Sequence, residues 1–197
     1  MGEIQEFIEI FKENIKRPGA EALLQWLTSS DFFIAPASTK YHCAYEGGLV
    51  KHSLNVYKLL QKRCAEYGER FSAETVAICG LLHDICKANF YSISLRNVKN
   101  ERGQWEQKPY YTVEDQFPFG HGEKSVFVIE RFMRLSEEEA VAIRWHMGGF
   151  DDTAKAGGFT ISHAYEQYPL AVLLHLADLE ATYLHEQGEM QGKEGKP

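Results

Sequence analysis

With 197 residues, 44 % of them apolar and 25 % charged, the chain has the composition of a globular protein with enough material for one substantial core. Its formal net charge of −7 argues against a surface built to grip a long nucleic-acid backbone, though not against a small nucleotide in a locally positive pocket. No apolar run reaches the ~18 residues of a membrane-spanning helix, so no membrane partner is expected.

In chain order, Met1-Gly2-Glu3-Ile4-Gln5-Glu6 lacks the basic start and apolar stretch of a secretory signal. Ile4, Phe7, Ile8 and Phe11 recur at helical spacing, which predicts an amphipathic helix ending before Pro18-Gly19. A second helix is expected over about Ala20 to Leu27. An irregular stretch then runs to Gly47-Gly48, and His52 is expected to open a helix reaching about Tyr67. Ser72 reads as the N-cap of the next helix, with Glu74 in its first turn. That helix is expected to carry His83, Asp84 and Lys87 on one side, by their three- and four-residue spacing.

The helical pattern breaks between Ala88 and Gly120. Tyr91, Ile93 and Leu95 alternate with polar residues, and Tyr110, Tyr111 and Val113 follow a turn at Asn100-Glu101-Arg102-Gly103. A β-hairpin is predicted over about residues 91–114. Helices are expected again near Glu123 to Met133, Ser136 to Trp145 and Pro169 to Tyr183, the second opened by a capping box at Ser136-Glu137-Glu138-Glu139. Gly148 to His163 reads as a Gly-rich loop. Residues 188–197 read as a disordered polar tail, leaving 1–187 as a single domain.

Asp84 stands in the apolar run Ala77-Ile78-Cys79-Gly80-Leu81-Leu82-His83-Asp84-Ile85-Cys86-Lys87. A buried carboxylate is expensive unless it is paired or binds a metal. His52, His121, His146 and Asp178 lie in contexts that suit metal ligands. Imidazole and carboxylate together favour divalent transition ions such as Mn, Fe, Ni or Zn.

The segments Glu46-Gly47-Gly48-Leu49-Val50-Lys51-His52, Gly80 to Lys87, Gly120-His121-Gly122-Glu123, Trp145-His146 and Leu174-His175-Leu176-Ala177-Asp178 carry a resemblance. In this order they are similar to the HD superfamily of metal-dependent phosphohydrolases, including HD domains associated with 3′-5′ exoribonucleases. The resemblance implies an all-α, compact helical bundle with the hairpin as an insertion. It implies a first metal on His52, His83, Asp84 and Asp178, and a second on His121 and His146, with Asp84 bridging. The implied activity is hydrolysis of a phosphate ester of a nucleotide or related small molecule, with Asp84 and Lys87 as the catalytic pair. Lys87 is expected to offset charge on the phosphate; its plainer reading is a solvated lysine at a helix end.

Two other readings share the ligand set: a mixed-valent di-iron oxygenase and a non-catalytic metal-binding module. The chain departs from the resemblance at Cys86, where Gly is common, and lacks the Gly-Tyr-Pro signature of the cyclic-dinucleotide branch. Cys43, Cys64, Cys79 and Cys86 show no CxxC spacing and read as reduced thiols, so a cytoplasmic location is the default. His42 reads equally as a loop residue or a pocket residue, and His175 as a neighbour of the ligands or a core residue. His163 and His185 have no supporting context. Arg96, Lys99, Arg102, Lys108, Tyr110 and Tyr111 on the hairpin read equally as a lid for a nucleotide or as a solvated surface. Oligomeric state is not legible.

Overall fold

A computed structural model describes residues 2–68 and 70–186 of the chain. The expected polar tail at 188–197 lies outside the described residues. Among the described residues the fold is helical, with one two-stranded antiparallel sheet. Among the described residues no helix is long and apolar enough to cross a membrane. The four cysteines form no disulfide.

Helix α1 (Glu3–Asn14) buries Phe7 and Phe11, and α2 (Ala20–Ser29) buries Leu23, Leu24 and Leu27. The next two helices form the centre. Helix α3 (Gly48–Glu66) packs along α4 (Ala73–Leu82), whose residues from Val76 to Leu82 are all buried. Contact is close because Gly80 has no side chain. A Cβ there would lie 2.5 Å from the Tyr57 Cα, inside any permitted contact. Ser72 caps α4 as expected, its Oγ accepting from the Thr75 N–H at 3.1 Å.

Two boundaries differ from expectation, and both move a candidate ligand. His52 lies within α3 rather than opening it, because the helix begins at Gly48. Helix α4 ends at Leu82, so His83 is its C-cap and Asp84 (φ −103°, ψ 18°) has left the helix. The cause is local. The His83 ring donates from Nδ1 to the Gly80 carbonyl at 3.0 Å, the acceptor that a continuing helix would give to the Asp84 N–H. A short 3₁₀ turn, Ile85–Lys87, follows.

Strands β1 (Tyr91–Lys99) and β2 (Trp105–Val113) form the hairpin within its predicted bounds, pairing from Tyr91↔Val113 to Lys99↔Trp105. On the hairpin Arg96 lies over Tyr110 and Lys99 over Trp105, while Lys108 pairs with Glu106 at 3.1 Å. At its base the Tyr91 hydroxyl donates to the Ala37 carbonyl at 3.2 Å.

Helices α5 (His121–Glu130) and α6 (Glu137–Trp145) approach closely at Gly122, where a Cβ would sit 2.2 Å from the Arg144 carbonyl oxygen. The capping box on Ser136 and Glu139 is formed. The stretch from Gly148 to His163 is not one continuous loop. It holds a 3₁₀ turn at Gly148–Phe150, the short α7 (Asp152–Lys155) and the start of α8 (Thr160–Gln167). Asp151 caps α7 by accepting from the Thr153 and Ala154 N–H groups, a turn chemistry that glycine content alone hides. Helix α9 (Pro169–Glu180) packs against α3 and α6 and runs into a π-helical turn, Ala181–His185.

Candidate metal centre

The ends of these helices meet around Asp84. Its carboxylate is 2 % exposed and lies among His52, His83 and His146, each fully buried. Oδ2 faces His52 Nε2 and His83 Nε2, both at 3.6 Å, and accepts from Lys87 Nζ at 2.6 Å. Oδ1 faces the other way, towards His121 Nε2 at 2.7 Å and His146 Nε2 at 3.5 Å. Asp178, on α9, reaches His52 Nε2 at 3.2 Å. The structure therefore brings all six candidate ligands together, divided between the two oxygens of one carboxylate.

A shared device aims the imidazoles. His83 and His146 cap the C-termini of α4 and α6, and each donates from Nδ1 to the carbonyl three residues back. The distances are 3.0 Å to Gly80 and 2.6 Å to Ile143. His52 spends its Nδ1 proton on Glu186, at 3.0 and 3.2 Å from its two oxygens. A carbonyl or carboxylate can only accept, so these bonds fix the proton on Nδ1 and leave Nε2 to face inward. The C-terminal ends of α4 and α6 also bring negative dipole charge towards the same point.

This leaves unmet chemistry. His52 Nε2 and His83 Nε2 are 3.3 Å apart. With both Nδ1 protons committed, two neutral rings would set lone pair against lone pair, a clash that either a second proton on His52 or a bound cation relieves. His146 Nε2 is buried and makes no hydrogen bond. A buried polar atom without a partner ordinarily costs on the order of 1–3 kcal/mol. Four overlapping groups of donor atoms, each within 4.8 Å, run through the cluster: His42-His52-Glu186, His52-His83-Asp178, His83-Asp84-His146 and Asp84-Cys86-His121. The donor set of imidazole and carboxylate, with an orphaned nitrogen, fits a divalent transition ion.

Without an ion the charges are balanced by protons. Burial works against a charged His52, but Asp178 and Glu186 raise it to about 10. Burial likewise opposes a charged His121, but Cys86 and Asp84 raise it to about 10. Burial lowers His83 to about 3, which keeps its Nε2 lone pair available. On Asp84, burial favours the proton, yet Lys87 first, then His83 and His121, hold it well below the usual carboxylate range. Asp178 is held low by His52 against the same burial effect. Lys87 is raised, the pull of Asp84 outweighing desolvation.

Glu186 is the residue that sequence reasoning missed. It is fully buried, accepts from Asn55 at 2.9 Å as well as from His52, and is held at about 2 by these contacts despite burial. The π-helical turn at 181–185 precedes it, and no spacing within the polar segment around it gives the carboxylate away. Cys86 lies 3.5 Å from His121 Nδ1 and 3.8 Å from Nε2. The His42 ring lies tilted beside that of His52, centroids 4.8 Å apart, with its Nε2 buried and without a hydrogen bond. His175 donates from Nδ1 to the His146 carbonyl at 2.6 Å and fills the space that a Cβ on Gly148 would need. It thereby fixes the turn that follows His146. His163 and His185 are exposed and pair with Glu166 and Glu180, away from the cluster.

The HD domain family profile matches residues 49–191. Among curated proteins, a dihydroneopterin 2′,3′-cyclic phosphate phosphodiesterase of Methanocaldococcus jannaschii is 38 % identical over 61 residues, 29 % of this chain and 24 % of the relative. The match therefore spans about a quarter of that relative's length. No solved structure gives a significant match.

Proposed function

The chain belongs to the HD-domain family, and from that premise we propose that it is a metal-dependent phosphohydrolase with a dinuclear centre, acting on a phosphate ester of a small molecule. The observation that carries the reading is the convergence of four imidazole Nε2 atoms on the two oxygens of Asp84, with the His146 nitrogen left unpartnered. His52, His83, Asp178 and Asp84 Oδ2 would hold one ion. His121, His146 and Asp84 Oδ1 would hold the other. Two such ions supply Lewis-acid polarisation of a phosphoryl oxygen and activation of water.

The chain's own residues prepare that chemistry. Asp84 presents one oxygen to each half of the centre. Glu186, Gly80 and Ile143 fix the tautomers and aim of His52, His83 and His146. Lys87 spends one of its three donors on Asp84, and the other two suit a phosphate oxygen. Its ammonium offsets the negative charge that gathers on the phosphoryl group.

The named activity of the archaeal relative supports a cyclic phosphodiester on a small heterocyclic molecule as the first substrate class to try. The net charge of −7 favours a small substrate over a long nucleic acid. A panel of 2′,3′-cyclic nucleotides, linear diesters and nucleoside monophosphates, incubated with added Mn, tests the reading. Hydrolysis by the wild type that vanishes with chelator and in Asp84→Ala supports it. Hydrolysis of no member by folded, metal-loaded protein overturns it and directs the next assay to oxygen consumption.

A further inference from the structure

We propose that Cys86 is a thiolate ligand of the His121/His146 half of the centre and makes that half selective for a thiophilic divalent ion. The inference rests on the dinuclear reading above.

The two halves are unequal in charge. The His52/His83 half has Asp178 as an anionic donor of its own, 3.2 Å from His52, besides its share of Asp84. As ligands the His121/His146 half would offer two neutral imidazoles and only the other oxygen of Asp84. A divalent ion taken out of water there has only a share of one carboxylate against its two charges, and burying an undercompensated charge is expensive. Cys86 supplies the missing anion. Its sulfur is 3 % exposed and lies 3.5 Å from His121 Nδ1 and 3.8 Å from Nε2. Nearly equal distances to both nitrogens place it off the axis of an Nδ1–H bond. The other three rings instead have an oxygen acceptor on Nδ1.

Two further features hold the sulfur there. The Cys86 N–H donates to Ser125 Oγ at 3.3 Å, and Ser125 lies one turn after His121 on α5. The turn at 85–87 is thereby fixed to the helix that carries His121. His146 Nε2, fully buried and without a hydrogen bond, faces the same Asp84 oxygen as His121. Asp84, Cys86 and His121 each offer a donor atom within 4.8 Å of the others. On binding, the sulfur–hydrogen bond gives way to a sulfur–metal bond and the proton leaves to solvent. A thiolate beside two imidazoles favours zinc, cobalt or iron over magnesium, whose preference is for oxygen.

Cobalt(II) reconstitution of the full chain provides the test, with metal content measured by elemental analysis and ligation by near-ultraviolet absorption. The expected result is a sulfur-to-cobalt charge-transfer band in the wild type that is absent in Cys86→Ser and Cys86→Ala. Affinity for the ion at the His121/His146 half should fall by about 100-fold, the upper end of what loss of a partner outside the ligand sphere costs. Cys43, Cys64 and Cys79 remain in both variants, so loss of the band assigns it to Cys86. Cobalt-loaded wild type without the band, or a band that persists in both variants, overturns the proposal. Stoichiometry tests the two-ion reading and the band tests the sulfur, so the two can fail separately.

Discussion

Glu139 and Asp84 are both buried carboxylates, and their surroundings solve the problem of burial in opposite ways. Glu139 is fully buried and fully answered. It accepts from Arg17 Nη1 at 2.8 Å and Nη2 at 3.0 Å, from Thr75 Oγ1 at 2.9 Å and from the Ser136 N–H at 2.9 Å. Arg17 in turn reaches Glu74 and the Arg134 carbonyl. Asp84 faces Lys87 and four imidazoles, and that cluster is left with a nitrogen pair at 3.3 Å and an orphaned nitrogen on His146. The Glu139 cluster closes on itself and joins the connection between α1 and α2 to α4 and α6. The Asp84 cluster has more donor atoms than the protein can satisfy, which is the condition of a site built for something else.

The largest effects should separate the two. Asp84→Ala should abolish binding of both ions and lower hydrolysis by about 10³-fold or more, the scale of losing a principal electrostatic stabiliser. Glu139→Ala should leave metal content unchanged and cost about 3–5 kcal/mol of stability in a urea titration, as expected when one member of a buried pair is removed. If Asp84→Ala kept two ions, or Glu139→Ala lost them, the contrast would collapse. Between these extremes lies His121→Ala, which should release one ion and keep the other by elemental analysis.

Glu186→Gln sharpens the boundary of the site. A carboxamide can still accept from His52 Nδ1 but without charge, so metal affinity should fall by about 10–100-fold with folding retained. An unchanged affinity by calorimetry would return Glu186 to a purely structural role. Gly122→Ala probes the scaffold instead. Its Cβ would meet the Arg144 carbonyl at 2.2 Å and must push α5 from α6, a cost of about 1–3 kcal/mol in thermal unfolding.

The smallest effect is in pH. Burial opposes the charge on Glu139, but Arg17 and its other donors lower its pKa from 4.5. A carboxylate with a lowered folded pKa contributes stability that is complete above the unfolded value and lost as pH falls through the folded one. Wild type should therefore lose stability below about pH 4.5, and Glu139→Gln should show a shallower loss over that range in unfolding titrations.

Much of this arrangement was legible in the sequence, for identifiable reasons. The six candidate ligands stand in short local contexts, and the hairpin is set by alternation around one turn. Ser72 and Ser136 cap their helices through bonds three residues long. What was hidden depends on distance along the chain or on side chains that rewrite the backbone. Glu186 meets His52 across 134 residues, and Arg17 meets Glu139 across 122. Helix α4 stops at Leu82 because the His83 ring takes a backbone acceptor, which helix periodicity does not foretell. Helix α8 lies in a stretch whose glycines suggest only a loop.

The central claim is that the imidazoles converging on Asp84 form a metal centre while the Glu139 cluster does not. Elemental analysis of wild type, Asp84→Ala and Glu139→Gln, each saturated with Mn and freed of excess ion, tests it most directly. The account predicts two ions per chain in wild type and in Glu139→Gln, and none in Asp84→Ala. Equal metal content in wild type and Asp84→Ala would contradict it.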